Sequence, residues 1–185
     1  LLAATENLGE KAILFTSVAQ LDGKSFTAAN CAIWFAQSGM KTLLIGADSH
    51  PASLRKSISS PDDPEKIGAQ GEVSATTLSK LDFMSLEAGD SNFDPHAAAS
   101  QFQFLVQQVR PEFDRVIIDS SSINVARGVF LHCRHVKAVC LVLRAQVTHL
   151  DDAREAIERI TAAGATVIGF VWNAGPNRRA RWRGR

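Results

Sequence analysis

Ser17-Val-Ala-Gln-Leu-Asp-Gly-Lys24-Ser25 stands between an apolar run, Ala12-Ile-Leu-Phe15, and a segment of helical spacing, Lys24–Ser38. A loop between strand and helix that ends Gly-Lys-Ser matches the second half of G-x-x-x-x-G-K-[ST], in which backbone N–H groups close around phosphates. Gly23, Lys24 and Ser25 are in place, whereas Val18 holds the first glycine position. In this reading Lys24 reaches the β- and γ-phosphates, Ser25 Oγ holds Mg²⁺, and the following helix adds its positive N-terminal end. The alternative is an ordinary strand–helix turn with an N-terminal serine cap.

Working outward, apolar runs alternate with amphipathic ones. Strands are expected at Ala12–Thr16, Thr42–Gly46, Leu81–Leu86, Arg115–Asp119, Ala138–Leu143 and Val167–Trp172, and helices at Lys24–Ser38, Pro95–Arg110 and Leu150–Ala163. In the last helix Ala153, Ile157 and Ile160 share one face, with Arg154, Glu155 and Glu158 off it. Continuous apolar strands separated by helices predict a mostly parallel sheet covered on both faces, a three-layer α/β fold. Trp34 is expected in the core and the five histidines at the surface. Ser57–Gly71, rich in Pro, Gly, Ser and Asp, reads as a surface loop.

With 185 residues, 45% of them hydrophobic, the chain can bury a core as one domain, taken as residues 1–177. A net charge of +1 gives no overall acidic or basic character and no expectation of specific nucleic-acid binding. The tail Arg178-Arg-Ala-Arg-Trp-Arg-Gly-Arg185 is the exception: five arginines that could touch an anionic surface, or stay solvated. Three cysteines with no C-x-x-C spacing suggest thiols of a reducing compartment, with Cys31 and Cys140 buried, and no metal site. The longest apolar run, Ala138–Leu143, is far too short to cross a bilayer, so the expectation is a cytoplasmic domain, excised from a longer protein.

Two aspartates complete the pattern. The run Leu43-Leu-Ile-Gly-Ala-Asp48 ends a strand with a carboxylate facing the loop, suited to Mg²⁺ or to orienting a nucleophile. Alternatively Asp48 caps a short helix over Pro51–Ile58. Val116-Ile-Ile-Asp119 is an apolar strand closing in an Asp, the arrangement that brings a carboxylate to a metal ion, although Asp also starts turns.

From about Lys11 to Asn173 the chain resembles the cytoplasmic kinase domain of bacterial tyrosine kinases, MinD/ParA-like P-loop ATPases that partner polysaccharide co-polymerases. The family's motifs are a Walker A loop S-x-x-P-G-E-G-K-S-T, a Walker A′ strand ending D-x-D-x-R and a Walker B strand ending D-x-P-P. Ser17, Gly23, Lys24 and Ser25 match the first, with Asp22 for Glu; Asp48 matches the second Walker A′ aspartate and Asp119 the Walker B one. Arg144–Thr148, Arg154–Ile160 and Gly169-Phe-Val-Trp-Asn173 resemble the closing helix and strand, with Asn173 near the adenine in relatives. The resemblance implies ATP held by Ser17, Asp22, Gly23, Lys24, Ser25 and Asn173, and Mg²⁺ held by Ser25, Asp48 and Asp119. Lys24, Asp48 and Asp119 would carry the catalysis.

Departures run through the same motifs. Gln20-Leu21 replaces Pro-Gly, Gly46 the first Walker A′ aspartate, His50 the arginine, and a serine run beginning Ser120-Ser121 the x-Pro-Pro that follows the Walker B aspartate. There is no tyrosine in the chain, whereas family kinases phosphorylate their own C-terminal tyrosine cluster. The family's N-terminal ring-building helix is not recognisable in Leu1–Glu10. A branched side chain at Leu21 costs about 1 kcal/mol or more if the loop needs left-handed geometry. Loss of a catalytic carboxylate at Gly46 costs about 10²–10⁴ in rate.

The expectation is therefore a degenerate kinase-like regulator of capsule or exopolysaccharide export that binds nucleotide or a partner, with weak or no kinase activity. It would lie at the inner face of the plasma membrane beside a membrane-spanning co-polymerase, and an oligomer is compatible with that. One alternative is an active kinase or ATPase phosphorylating that partner in trans. Another is a MinD/ParA-like positioning ATPase using the basic tail, although Val18, Ala19 and Gln20 lack the second lysine of that type.

Overall fold

Seven strands form one sheet in a computed structural model that describes residues 2–48, 54, 58, 71–86, 95–125 and 128–174. They are β1 (Ala12–Ser17), β2 (Thr42–Ala47), β3 (Val73–Ala75), β4 (Leu81–Ser85), β5 (Arg115–Ser120), β6 (Ala138–Arg144) and β7 (Thr166–Asn173). The order is β3-β4-β2-β5-β1-β6-β7. All neighbours are parallel except β3, which runs antiparallel to β4. The inner strands are Val-, Ile- and Leu-rich without alternation because both faces are covered. The six expected strands are present; β3, at the sheet's edge, is an addition.

The helices are α1 (Leu2–Asn7), α2 (Lys24–Gln37), α3 (Pro95–Val109), α4 (Gly128–His135) and α5 (Leu150–Ala162). On one face α2 packs Ala28, Ala29, Ala32 and Phe35 onto Ile13, Phe15, Leu44 and Ile117. On the other, Phe102 and Val106 of α3, Val129 and Cys133 of α4, and Ala153 and Ile160 of α5 meet Leu14, Leu43, Ile118 and Val139. This gives the expected three layers. The α1 end is fastened by an ion pair between Arg110 and Glu10 at 2.9 Å and by Lys11 donating to the Phe113 carbonyl at 3.2 Å.

Trp34 corrects an expectation: it is 52% exposed, because the face of α2 that meets the sheet is defined by residues 28, 32, 35 and 36. Its ring lies edge-on to Phe35 at 5.1 Å between centroids. His132 is a second correction, since its ring stacks on Phe102 at 4.1 Å between centroids instead of facing water. Cys140 is buried as expected, but Cys31 is only partly so, and Cys133 is buried as well. Of the expected helix over residues 51–58, Leu54 and Ile58 are described, both helical and buried. His50, most of the expected loop Ser57–Gly71, and the tail 178–185 lie outside the described residues. Among the described residues no helix is long and apolar enough to cross a membrane.

Burial pushes the thiol pKa up to about 12 at Cys133 and Cys140 and to about 11 at Cys31. The thiolate is the nucleophile, so iodoacetamide at pH 8 should leave Cys133 and Cys140 unlabelled in the native chain and label them in urea. Peptide mass spectrometry reads the outcome; native labelling of either would contradict this core.

Candidate functional site

The carboxyl ends of β1, β2 and β5 lie side by side, with Phe15 and Gly46 each opposite Asp119 in register. From β1 the chain turns through residues 18–23 into α2. Val18, at the first glycine position, faces inward and joins the apolar core, so a side chain is accommodated there. Leu21, at the second missing glycine, takes a left-handed backbone with φ 64° and is 87% exposed. The loop has kept its glycine-type geometry and carries the strain of a branched residue.

Hydrogen bonds within the loop hold that turn. The Ala19 N–H donates to Asp22 Oδ2 at 2.9 Å, and Ser17 Oγ donates to the Ala19 carbonyl at 2.7 Å. Asn173 Nδ2 donates to the Asp22 carbonyl at 2.8 Å. Gly23 has φ 93°, and a Cβ added there would fall on Asn173 Nδ2, so only glycine fits. The segment after β5 straps the other side, with Ile123 N–H donating to Ser17 O and Asn124 N–H to Val18 O. Gly23 is the N-cap of α2 and no side chain caps that end, so Ser25 does not serve as a cap. The first-turn N–H groups and the helix dipole thus face the loop, which favours an anion.

Lys24 is buried to 9% exposure. Its Nζ pairs with Asp48 Oδ2 and lies 4.0 Å from Asp119 Oδ1 and 3.4 Å from Ser25 Oγ. Ser121, in place of a family proline, donates from Oγ to Asp48 Oδ1 at 2.9 Å. The neighbouring Ser120 hydroxyl is 3.3 Å from His132 Nδ1. Burial raises the Asp119 pKa to about 6, against the attraction of Lys24 and a hydrogen bond from Ser25, with Asp48 adding to the rise. Burial, with His135 nearby, lowers that of His132 to about 4.

Lys24, Ser25, Asp48 and Asp119 are therefore brought together. Ser17 and Asp22 are buried and bonded to the loop's own backbone, so they shape the loop, and Asn173 reaches the loop directly. Sequence reasoning assigned no site role to Ser120, Ser121 or His132: the two serines stood out only as departures from the family motif, and His132 only as one of the histidines expected at the surface. The donor set is hard oxygen: Ser25 Oγ and the carboxylates of Asp48 and Asp119, gathered around Lys24. That set fits Mg²⁺, which takes one or two carboxylates and completes its shell with water and phosphate. Among the described residues no three His, Cys, Asp or Glu side chains cluster for a metal.

No family model matches the chain. It is 27% identical over 173 residues to CapB of Staphylococcus aureus, assigned as a tyrosine-protein kinase, covering 90% of the chain and 76% of that protein. It is 26% identical over 158 residues to the tyrosine-protein kinase ptk of Acinetobacter johnsonii, covering 82% of the chain but only 22% of ptk. The chain thus spans about three quarters of one relative and under a quarter of the other. Among solved structures it matches the chimerical protein CapA2B2 with a TM-score of 0.71 and 26% identity, over 90% of the chain and 77% of that one. The BceF tyrosine kinase domain matches with a TM-score of 0.74 and 24% identity, over 94% of the chain and 73% of that domain. A ParA family ATPase from Chlorobium tepidum matches at 0.65 and 17%, over 89% and 74%. The relatives are bacterial tyrosine-protein kinases, and the mostly parallel sheet is the MinD/ParA-like P-loop fold expected from the sequence.

Two outcomes follow for the loop. Leu21→Gly should leave the chain as stable or stabilise it by up to about 1 kcal/mol, because relief of left-handed strain outweighs glycine's entropy. Gly23→Ala should destabilise it by about 2 kcal/mol or more through strain and the clash with Asn173. Urea melts of both compare the two positions, and equal effects would contradict the geometry.

The pH response has opposing parts. Folded Asp119 keeps its proton up to about pH 6 where the unfolded group loses it near 3.8, so its contribution to stability falls as pH rises across that window. Folded His132 resists protonation down to about pH 4 against 6.5 unfolded, so its contribution is complete above 6.5 and is lost as pH falls toward 4. Each is worth about 3 kcal/mol, so they largely cancel between pH 4 and 6. Asp119→Asn should make stability rise with pH over that range, and His132→Gln should make it fall. Melts at pH 4, 5 and 6.5 in which both variants parallel the wild type would contradict the assignment.

Proposed function

We propose that this chain is a nucleotide-binding, tyrosine-kinase-like domain of capsule or exopolysaccharide export whose phosphoryl-transfer chemistry is weakened. The observation that carries the reading is the gathering of Lys24, Ser25, Asp48 and Asp119 at the uncapped start of α2. Lys24 would take the β- and γ-phosphates, and Ser25 with Asp119 would hold Mg²⁺, which when bound neutralises phosphate charge. Gly23 and the first turn of α2 would supply backbone N–H groups. Asp48 now holds Lys24, so phosphate must compete with a buried ion pair, which lowers affinity. Without a carboxylate at Gly46 the site binds better than it catalyses. The proposal takes residues 1–177 as one unit beside a membrane-spanning co-polymerase at the inner face of the plasma membrane, with tail 178–185 touching anionic lipid.

Calorimetry with ATP·Mg²⁺ tests it. The expected result is binding with weak or no turnover, the affinity falling at least about tenfold in Lys24→Ala, the cost of losing one charge-assisted contact. No heat of binding for the wild type would refute the nucleotide reading and leave a protein-binding scaffold.

A second reading is favoured by Asp48 and Asp119 both flanking Lys24: an active kinase acting in trans. With no tyrosine in these 185 residues, its phosphate must go to a partner. Transfer to a co-polymerase peptide that vanishes in Asp119→Asn would replace the first reading with this one.

A further inference from the structure

Ser85 at the end of β4, Gly46 near the end of β2 and Asp119 near the end of β5 form one cross-strand row, because Gly46 is paired in register with both. Paired residues of parallel strands point to the same face, and side chains alternate along each strand. Two residues earlier, Phe83, Leu44 and Ile117 all enter the core beneath α2. Ser85, Gly46 and Asp119 therefore point to that same side, where Lys24 and Ser25 lie. Ser85 is 4% exposed and Asp119 1%. Ser85 Oγ and Asp119 Oδ1 are both buried without a hydrogen-bond partner, and they flank the one residue in the row that has no side chain.

Two strand spacings set the outer Cα atoms about 10 Å apart, and two short side chains leave room there for roughly one water-sized oxygen. The chemistry selects what fits. A carboxylate accepts and a serine hydroxyl both donates and accepts, so a bridging group must donate to Asp119 Oδ1 and pair with Ser85 Oγ. An anion is repelled by Asp119 and Asp48. A further cation would meet Lys24 Nζ, 4.0 Å from Asp119 Oδ1. A hydroxyl satisfies both orphaned atoms at no cost in charge.

We propose that Ser85, Gly46 and Asp119 form a binding slot for a hydroxyl oxygen, of water or of a hydroxyl-bearing acceptor, beside the phosphate site, with Ser85 as its positioning residue. The proposal rests on the nucleotide reading of the loop. In the kinases this chain resembles, the position of Gly46 carries an aspartate; here the space is left to a guest oxygen and the polar partner sits one strand further out.

The test compares affinity for ADP·Mg²⁺ with and without aluminium fluoride, which with ADP mimics a phosphoryl group meeting an in-line oxygen. The wild type should prefer the fluoride complex by at least about tenfold, as expected for a transition-state mimic. Ser85→Ala and Gly46→Ala should reduce that ratio to near unity, and Ser85→Thr, which keeps the hydroxyl, should retain it. Loss of the hydroxyl alone would not change a ratio set by packing. If the ratio appears without additions, the oxygen is water; if it appears only with a tyrosine-containing peptide, it is an acceptor hydroxyl. Wild type that binds ADP but shows no preference in either arm, or a Ser85→Ala variant that keeps it, overturns the slot while the nucleotide site stands. Wild type that binds no ADP overturns both.

Discussion

A buried lysine ammonium between two carboxylates is the constraint on which the rest of the site depends. Lys24 cannot be taken out of water unless opposite charge is brought to it, and Asp48 and Asp119 supply that charge from β2 and β5. They can do so because the strand order places β5 between β1 and β2, so that all three strand ends open on the same side of the sheet. The requirement then reaches the loop: residues 18–23 must turn tightly enough to start α2 at Lys24. Leu21 stays in the left-handed region although a side chain opposes it.

The departures from a glycine-rich loop differ in weight. Val18 is absorbed by the core, and Leu21 points its side chain to solvent while its backbone keeps the turn. The serines that follow Asp119 are put to new use, Ser121 bonding Asp48 and Ser120 meeting His132. Gly46 is different, because nothing on its own strand replaces the missing carboxylate. In the function proposed above, the phosphate-binding half of the chemistry is therefore better preserved than the transferring half.

The elements legible in the sequence were those with strong local signals. Long aliphatic runs announced the inner strands, and Gly-Lys-Ser between strand and helix announced the loop. Asp48 and Asp119 were found because each closes an apolar run. What escaped was set by tertiary context. Trp34 has apolar neighbours along α2, but its angle around the helix turns it from the sheet. β3 spans only Val73–Ala75 and owes its existence to pairing with β4, and α4 covers only Gly128–His135. His132 looked like one more polar residue until Phe102 and Ser120 were brought against it by α3 and β5. The contact of Asn173 with Asp22 joins residues 151 positions apart in the chain, which no local pattern announces.

The central claim is that an altered loop still holds a working phosphate cradle, latched by Asp48. A crystal structure of the chain with a non-hydrolysable ATP analogue and magnesium tests it most directly. The account predicts that Leu21 stays at positive φ while Lys24 Nζ leaves Asp48 for the terminal phosphates. A loop collapsed to negative φ at Leu21, with Lys24 still on Asp48 and the analogue elsewhere or absent, would contradict it.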